Sequence, residues 1–234
     1  MTKKQIAAAL TAVLSAVLLP AVLRCPAFSG AVPTAYAVSA TENGIYDTYG
    51  DYTYTKYDTY VQITGFSQTS SQTAITIPSS IDGLPVTSIG KQAFYFCEKL
   101  TSVTIPSSVT SIETSAFAYC TGMTSVTIPS TVKSIGTSAF SYCSKLTAVT
   151  LPSGLTSIPS SLFSNCTKLS SVTLPSGVAS IESSAFAYCT SLSEITIPST
   201  VTTIGNKAFY GCTALTAVTI PASVTSLGTN AFGL

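Results

Sequence analysis

From Leu100 onward the chain repeats one cadence of apolar and polar positions. In the copy spanning 100–122 the apolar residues are Leu100, Val103, Ile105, Val109, Ile112, Ala116, Phe117 and Cys120, with mostly Ser and Thr between them. Copies restart at Met123, Leu146, Leu169, Leu192 and Leu215, each after 23 residues. Cysteines from Cys97 to Cys212, prolines from Pro106 to Pro221 and phenylalanines from Phe94 to Phe232 keep the same step. A fixed period of this length marks a solenoid, in which each copy is one coil stacked on the next.

The cadence is neither period 2 nor period 3.6 throughout, so no single strand or helix accounts for one copy. Read piecewise, Val103-Thr104-Ile105 alternates in, out, in, as a short strand does. Pro106 has no N–H for a ladder, so the strand ends there and the chain turns a corner. Val109 and Ile112 form a second inward-facing extended run. Thr114 or Ser115 is placed to cap a short helical turn that points Ala116, Phe117 and Cys120 inward. One coil buries too little to offset its own ordering, so stability belongs to the stack. Gly136, Gly205 and Gly228 share a column with Glu113, Pro159 and Glu182. Proline is confined to φ near −65°, so that corner does not require a left-handed residue.

Upstream, three segments are predicted. Residues 1–37 read as a secretory signal: Lys3 and Lys4 precede an uncharged, mostly apolar run from Ile6 to Leu23, and Ala35-Tyr36-Ala37 supplies a small-x-small cleavage site. The alternative is an uncleaved anchor, since that run is just long enough to span a bilayer. Residues 38–73 hold six of the 12 tyrosines. There, Tyr52–Thr55 and Tyr60–Thr64 alternate like two strands about a polar turn at 56–59, a β-hairpin cap over the first coil. A tyrosine platform of this kind could also grip sugar or protein. The solenoid proper occupies 74–234, about seven turns of short parallel strands and short helical turns, its first coil enlarged by an insertion containing Asp82-Gly83-Leu84-Pro85. The last coil has no polar cap; its open edge invites self-association or a covering partner, or marks a shortened version of a longer protein.

Charge and chemistry narrow the function. Without 1–37 the chain has 7 lysines against 9 carboxylates, a net charge of −2, and no Arg, His or Trp. The lysines are scattered, so no basic stripe offers itself to nucleic acid, and no membrane contact is expected after signal cleavage. With Cys25 lost in the signal, six of the seven cysteines remain, and an even count in an exported chain suggests disulfides. Yet all six lie in one inward column, where each packs as a small hydrophobe, and buried free thiols are expected. A zinc site needs short spacings or His helpers, both missing. No histidine remains as a base for a Ser nucleophile, so no enzyme, catalytic residue, metal or cofactor is expected.

The outward columns are the candidate binding residues. Thr104, Thr127, Thr150, Thr173, Thr196 and Thr219 form one exposed ladder on the first sheet, beside Ser102, Ser125, Ser171 and Glu194. Tyr119, Tyr142 and Tyr188, with Phe96, share a second column interrupted by Asn165. Thr suits strand positions for purely structural reasons, and aromatic rows serve either recognition or the rim of a packed layer.

The copy SVTIPSSVTSIETSAFAYC resembles the BspA-type leucine-rich repeat, a bacterial cell-surface variant with a 23-residue unit. The columns carrying the likeness are Leu, Ile-Pro, Val-x-x-Ile, Ala-Phe and Cys, from Ala74 to Leu234. The resemblance implies a right-handed leucine-rich-repeat coil, a secreted or cell-surface location, and attachment to extracellular protein or glycan through the exposed sheet face. It brings no shared catalytic residues. The alternative expectation is a passive spacer or fragment of a larger surface protein, with no ligand of its own.

Overall fold

The computed structural model describes residues 39–41, 44–67 and 72–233. The proposed signal peptide lies outside them. Within them the chain is a stack of about seven coils, and its order follows from where alternation and proline fall. Each of the first five coils contributes a three-residue strand whose central apolar residue points inward, as in Ser102–Thr104 with Val103 buried. After the proline corner comes a two-residue strand such as Ser111–Ile112.

Equivalent strands pair in parallel and in register. Ala74–Thr76, Ser102–Thr104 and Ser125–Thr127 form one sheet; Ala148–Thr150 and Ser171–Thr173 form a second. On the other side of the coil, Leu84–Ile89, Ser111–Ile112 and Ser134–Ile135 pair, and then Ser157–Ile158, Ser180–Ile181, Thr203–Ile204 and Ser226–Leu227. The insertion in the first coil closes as a hairpin, Ser80–Ile81 against Leu84–Ile89. Its loop residues Asp82 and Gly83 have φ of 51° and 77°, the left-handed pair a two-residue turn demands. Gly83→Ala is expected to cost about 1–2 kcal/mol in a denaturant titration, since the strain is in the backbone and not in space.

At the N-terminal end, Val61–Phe66 runs parallel to Leu84–Ile89, followed outward by Tyr52–Lys56 and Gly44–Tyr49 as antiparallel strands. Tyr54, Val61, Ile63 and Phe66 are buried against the first coil. The insertion clasps this layer: the Tyr54 hydroxyl and Lys56 Nζ both donate to Asp82, at 3.0 and 3.3 Å. Those two donors, Tyr54 first, hold the Asp82 carboxyl below the usual carboxylate range.

The expected short helical turns are absent. No helix occurs among the described residues; the segment after the second strand is a run of tight turns. Ser115 and Tyr119 sit at φ of 55° and 62°, outside the right-handed basin that a helix needs at every residue. Donors there alternate. Ala116, Ala118 and Cys120 donate three residues back, to Glu113, Ser115 and Phe117, while Ser115, Phe117 and Tyr119 donate to Thr137, Ala139 and Ser141 of the next coil. A helix would keep every N–H inside the coil; here half of them join neighbours, and stacking outweighs helix propensity.

The core is built of files. The rings of Phe66, Phe94, Phe117, Phe140, Phe163, Phe186, Phe209 and Phe232 follow one another with centroids 4.8–5.9 Å apart. Beside them run the six cysteines, all buried and none joined in a disulfide. No positive φ occurs at Gly136, Gly205 or Gly228. A Cβ at any of the three would nevertheless strike the backbone of the preceding coil, so in those coils glycine permits a closer approach.

Candidate functional site

Every thiol is enclosed. Cys120 Sγ donates to the carbonyl of Phe94, and Cys143, Cys166, Cys189 and Cys212 repeat this toward Phe117, Phe140, Phe163 and Phe186, at 3.1–3.2 Å. Each of those carbonyls also accepts the amide of the cysteine three residues on in its own coil. Burial pushes the Cys143 thiol up to about 12 and that of Cys212 to about 11, and raises Cys166 and Cys189 well above the ordinary thiol value. A reactive or metal-binding cysteine needs the opposite, a stabilised thiolate within reach of solvent. Among the described residues no cluster of His, Cys, Asp and Glu is placed to hold a metal ion.

The hydroxyls divide into two populations, which the sequence does not distinguish. Thr101, Thr124, Thr147 and Ser170 donate their side-chain hydroxyls to the carbonyl of Thr73, Thr101, Thr124 and Thr147, each one coil back. Thr110, Thr202 and Thr225 do the same in a second column, and Thr167, Thr190 and Thr213 in a third. These are struts. In the first two columns the same carbonyl also accepts that residue's own amide, so the hydroxyl doubles a bond the backbone already makes.

The predicted ladder behaves differently. Thr104, Thr127, Thr150, Thr173, Thr196 and Thr219 are all exposed; parallel pairing sets Thr127 beside Thr104 and Thr173 beside Thr150. None of their hydroxyls takes part in the strut bonds, so this column is presented to solvent. Ser125, Ser171 and Glu194 are exposed beside it and Ser102 half-buried. Two shallow grooves open on the same face. One is lined by Val126, Thr127, Ile128, Ala148, Val149, Thr150, Ser171 and Thr173. The other runs between the last two coils, past Glu194, Thr196 and Thr219. Thr196 and Thr219 are not in paired strands, so the flat array is confined to the earlier coils.

The aromatic column is split. Phe96 and Tyr119 stack at 4.5 Å, and Tyr119 and Tyr142 at 4.3 Å. Asn165 ends that stack, and Tyr188 lies beyond it, edge-on to Tyr210 at 5.4 Å. Phe96, Tyr119, Tyr142, Asn165, Tyr188 and Gly211 all have φ between 59° and 70°. Asn and Gly accept that conformation readily, whereas an aromatic ring there is strained; where rings stand in succession, stacking on the next coil offsets the strain. Tyr119 is half-buried between its neighbours, which raises its pKa, burial first and the nearby Tyr142 second. Phe96, Tyr142 and Tyr188 remain exposed.

Comparison with known proteins agrees with this geometry. The family model described as BspA type leucine-rich repeat region matches in six copies over residues 59–190 and 110–233. A leucine-rich repeat protein of T. pallidum is 32% identical, with a TM-score of 0.72 over 78% of this chain and 85% of that one. A leucine-rich cell surface protein of Faecalibacterium prausnitzii is 36% identical, TM-score 0.60, over 77% of this chain and 55% of its own. A leucine-rich repeat protein of Eubacterium ventriosum is 28% identical, TM-score 0.69, over 83% of this chain and 50% of its own. The chain thus spans about half the length of the latter two. No curated protein matches it.

Proposed function

The chain belongs to the family of BspA type leucine-rich repeat regions, and on that premise we propose that it is an exported bacterial binding module engaging extracellular protein or glycan through its first-sheet face. It is a repeat protein and not an enzyme; its repeated columns serve packing. The carrying observation is the division of hydroxyls: four Thr/Ser columns are spent on inter-coil bonds, the fourth being Thr131, Thr200 and Ser223 toward Val109, Val178 and Val201, while the Thr104–Thr219 column stands exposed with its hydroxyls outside those bonds. A polar, neutral, periodic face suits an extended ligand that meets equivalent groups on successive coils. On the turn side, exposed Tyr142 and Tyr188 add a residue type enriched among the anchors of protein contacts. The F. prausnitzii relative, described as a cell surface protein, supports a surface location.

The test is saturable binding to immobilised extracellular-matrix proteins and glycans. Replacing Thr127 and Thr150 together by Lys is expected to weaken that binding about tenfold or more and leave the melting temperature nearly unchanged, because both side chains point outward. Wild-type chain that binds neither panel, or a double variant that binds equally well, would defeat the proposal; the second result is what a passive spacer gives.

A further inference from the structure

Six junctions join the seven coils, and one of them is built differently. Between the third coil (123–145) and the fourth (146–168) both strand ladders lapse: Ser125–Thr127 does not pair with Ala148–Thr150, nor Ser134–Ile135 with Ser157–Ile158. The last two junctions lose the first ladder only, and their second ladder continues through Thr203–Ile204 to Ser226–Leu227.

The cause is legible residue by residue. In the corner column, Glu113, Gly136, Glu182, Gly205 and Gly228 donate their amides to Ile89, Ile112, Ile158, Ile181 and Ile204, one coil back, at 2.7–2.9 Å. Pro159 occupies that place in the fourth coil and has no N–H to donate to Ile135. Three residues earlier the defect spreads: the amides of Thr110, Lys133, Ala179, Thr202 and Thr225 each reach the preceding coil, but no such bond is made by Thr156. On the first sheet the Thr147 amide reaches Thr124 at 3.4 Å, against 2.8 Å for Thr124 to Thr101 and 2.9 Å for Ser170 to Thr147. The Phe140–Phe163 step, at 5.9 Å, is the widest in the aromatic file. The exposed aromatic stack also ends here, at Asn165. Apart from the long bonds from the Thr147 amide and hydroxyl to the Thr124 carbonyl, what holds the junction is the turn side, where Ser138, Phe140 and Tyr142 donate forward to Ser160, Leu162 and Ser164 and Cys166 Sγ reaches Phe140.

We infer that the solenoid is two cooperative blocks, 44–145 and 146–233, joined by a built-in joint that opens on the strand side by rotation about the turn column. In a one-dimensional stack the weakest interface sets where the array divides, and intact turn bonds opposite a strand side that has lost both ladders and keeps only the long Thr147–Thr124 bonds at 3.4 Å make a hinge with a fixed axis. Opening it parts the groove walls at Thr127 and Thr150. The joint stands on backbone geometry alone, independent of any ligand.

Residue-resolved amide exchange on the folded chain tests it. In the wild type the Thr156 amide is expected to exchange about tenfold or more faster than those of Lys133, Ala179 and Thr202, as fits an amide lacking a ladder bond. Pro159→Glu, the residue this column holds in the second and fifth coils, is expected to restore the bond to Ile135 and slow exchange at 156–158 by about five- to tenfold. Conversely, Glu182→Pro is expected to create a second fast-exchanging junction at 179–181. If Thr156 exchanges at the rate of its counterparts, or if neither substitution changes local exchange, the joint does not exist. Should Pro159→Glu fold poorly, the wild-type comparison and Glu182→Pro decide the matter.

Discussion

Phe117→Ala is expected to destabilise the chain by about 3–5 kcal/mol, read as a drop in the denaturant midpoint at unchanged slope. Phe117 is fully buried and stacks on Phe94 at 4.8 Å and on Phe140 at 5.2 Å. Removing the ring forfeits its transfer free energy and leaves a void that two fixed neighbouring rings cannot fill. The coils themselves are held by backbone bonds on both sides, so the stack is unable to collapse inward by the needed amount. Phe117→Leu retains much of the volume and is expected to cost roughly 1–2 kcal/mol, the range of a shape change within a packed core. Equal losses from the Leu and Ala variants would mean that the ring spine carries no packing energy of its own.

Alkaline pH is expected to unfold the protein through its thiols. Cys143, Cys166, Cys189 and Cys212 have folded pKa values raised above the ordinary 9.0, chiefly by burial. A raised folded pKa means the native state holds the proton where the unfolded chain releases it. The stability these groups contribute is complete below pH 9 and falls as pH climbs toward the folded values, near 11 for Cys212 and 12 for Cys143. Each thiol then costs about 1.4 kcal/mol per pH unit above 9, so the four together remove on the order of 5 kcal/mol by pH 10. Tyr52, raised to about 12 by burial first and Asp51 second, acts in the same direction from pH 10 upward. Denaturant titrations from pH 7 to 10 measure the effect. Replacing the four cysteines by alanine lowers stability at neutral pH but is expected to flatten the profile between pH 8 and 10; a profile unchanged by that replacement would show that the thiols do not titrate on unfolding.

The 23-residue step, the inward files and the coil count follow from the order of residues, because a period imposed on every column leaves one way to bury them all. The column of Cys97 to Cys212 is the plainest case: equal spacing along the chain becomes adjacency in space. The outward position of Thr104 and its equivalents is legible for the same reason, through alternation about Val103. The tight turns that stand where a helical turn is expected have a physical reason. Ala116, Phe117 and Cys120 at i, i+1 and i+4 satisfy a helical face, but the same positions also satisfy a chain of three-residue turns. Periodicity carries no information about the sign of φ at Ser115 and Tyr119.

By itself, then, the sequence determined that the chain is a stack, what faces inward, and which columns reach solvent. The tertiary structure decided where each hydrogen-bond donor goes. Half of the turn amides leave their own coil, several Thr columns become struts while the hydroxyls of the Thr104 column stay outside those bonds, and Pro159 opens one junction of the array. Donors are exchanged between coils, and a pairing across 23 residues is settled by how closely two backbones lie. No side-chain pattern within a single copy encodes that distance.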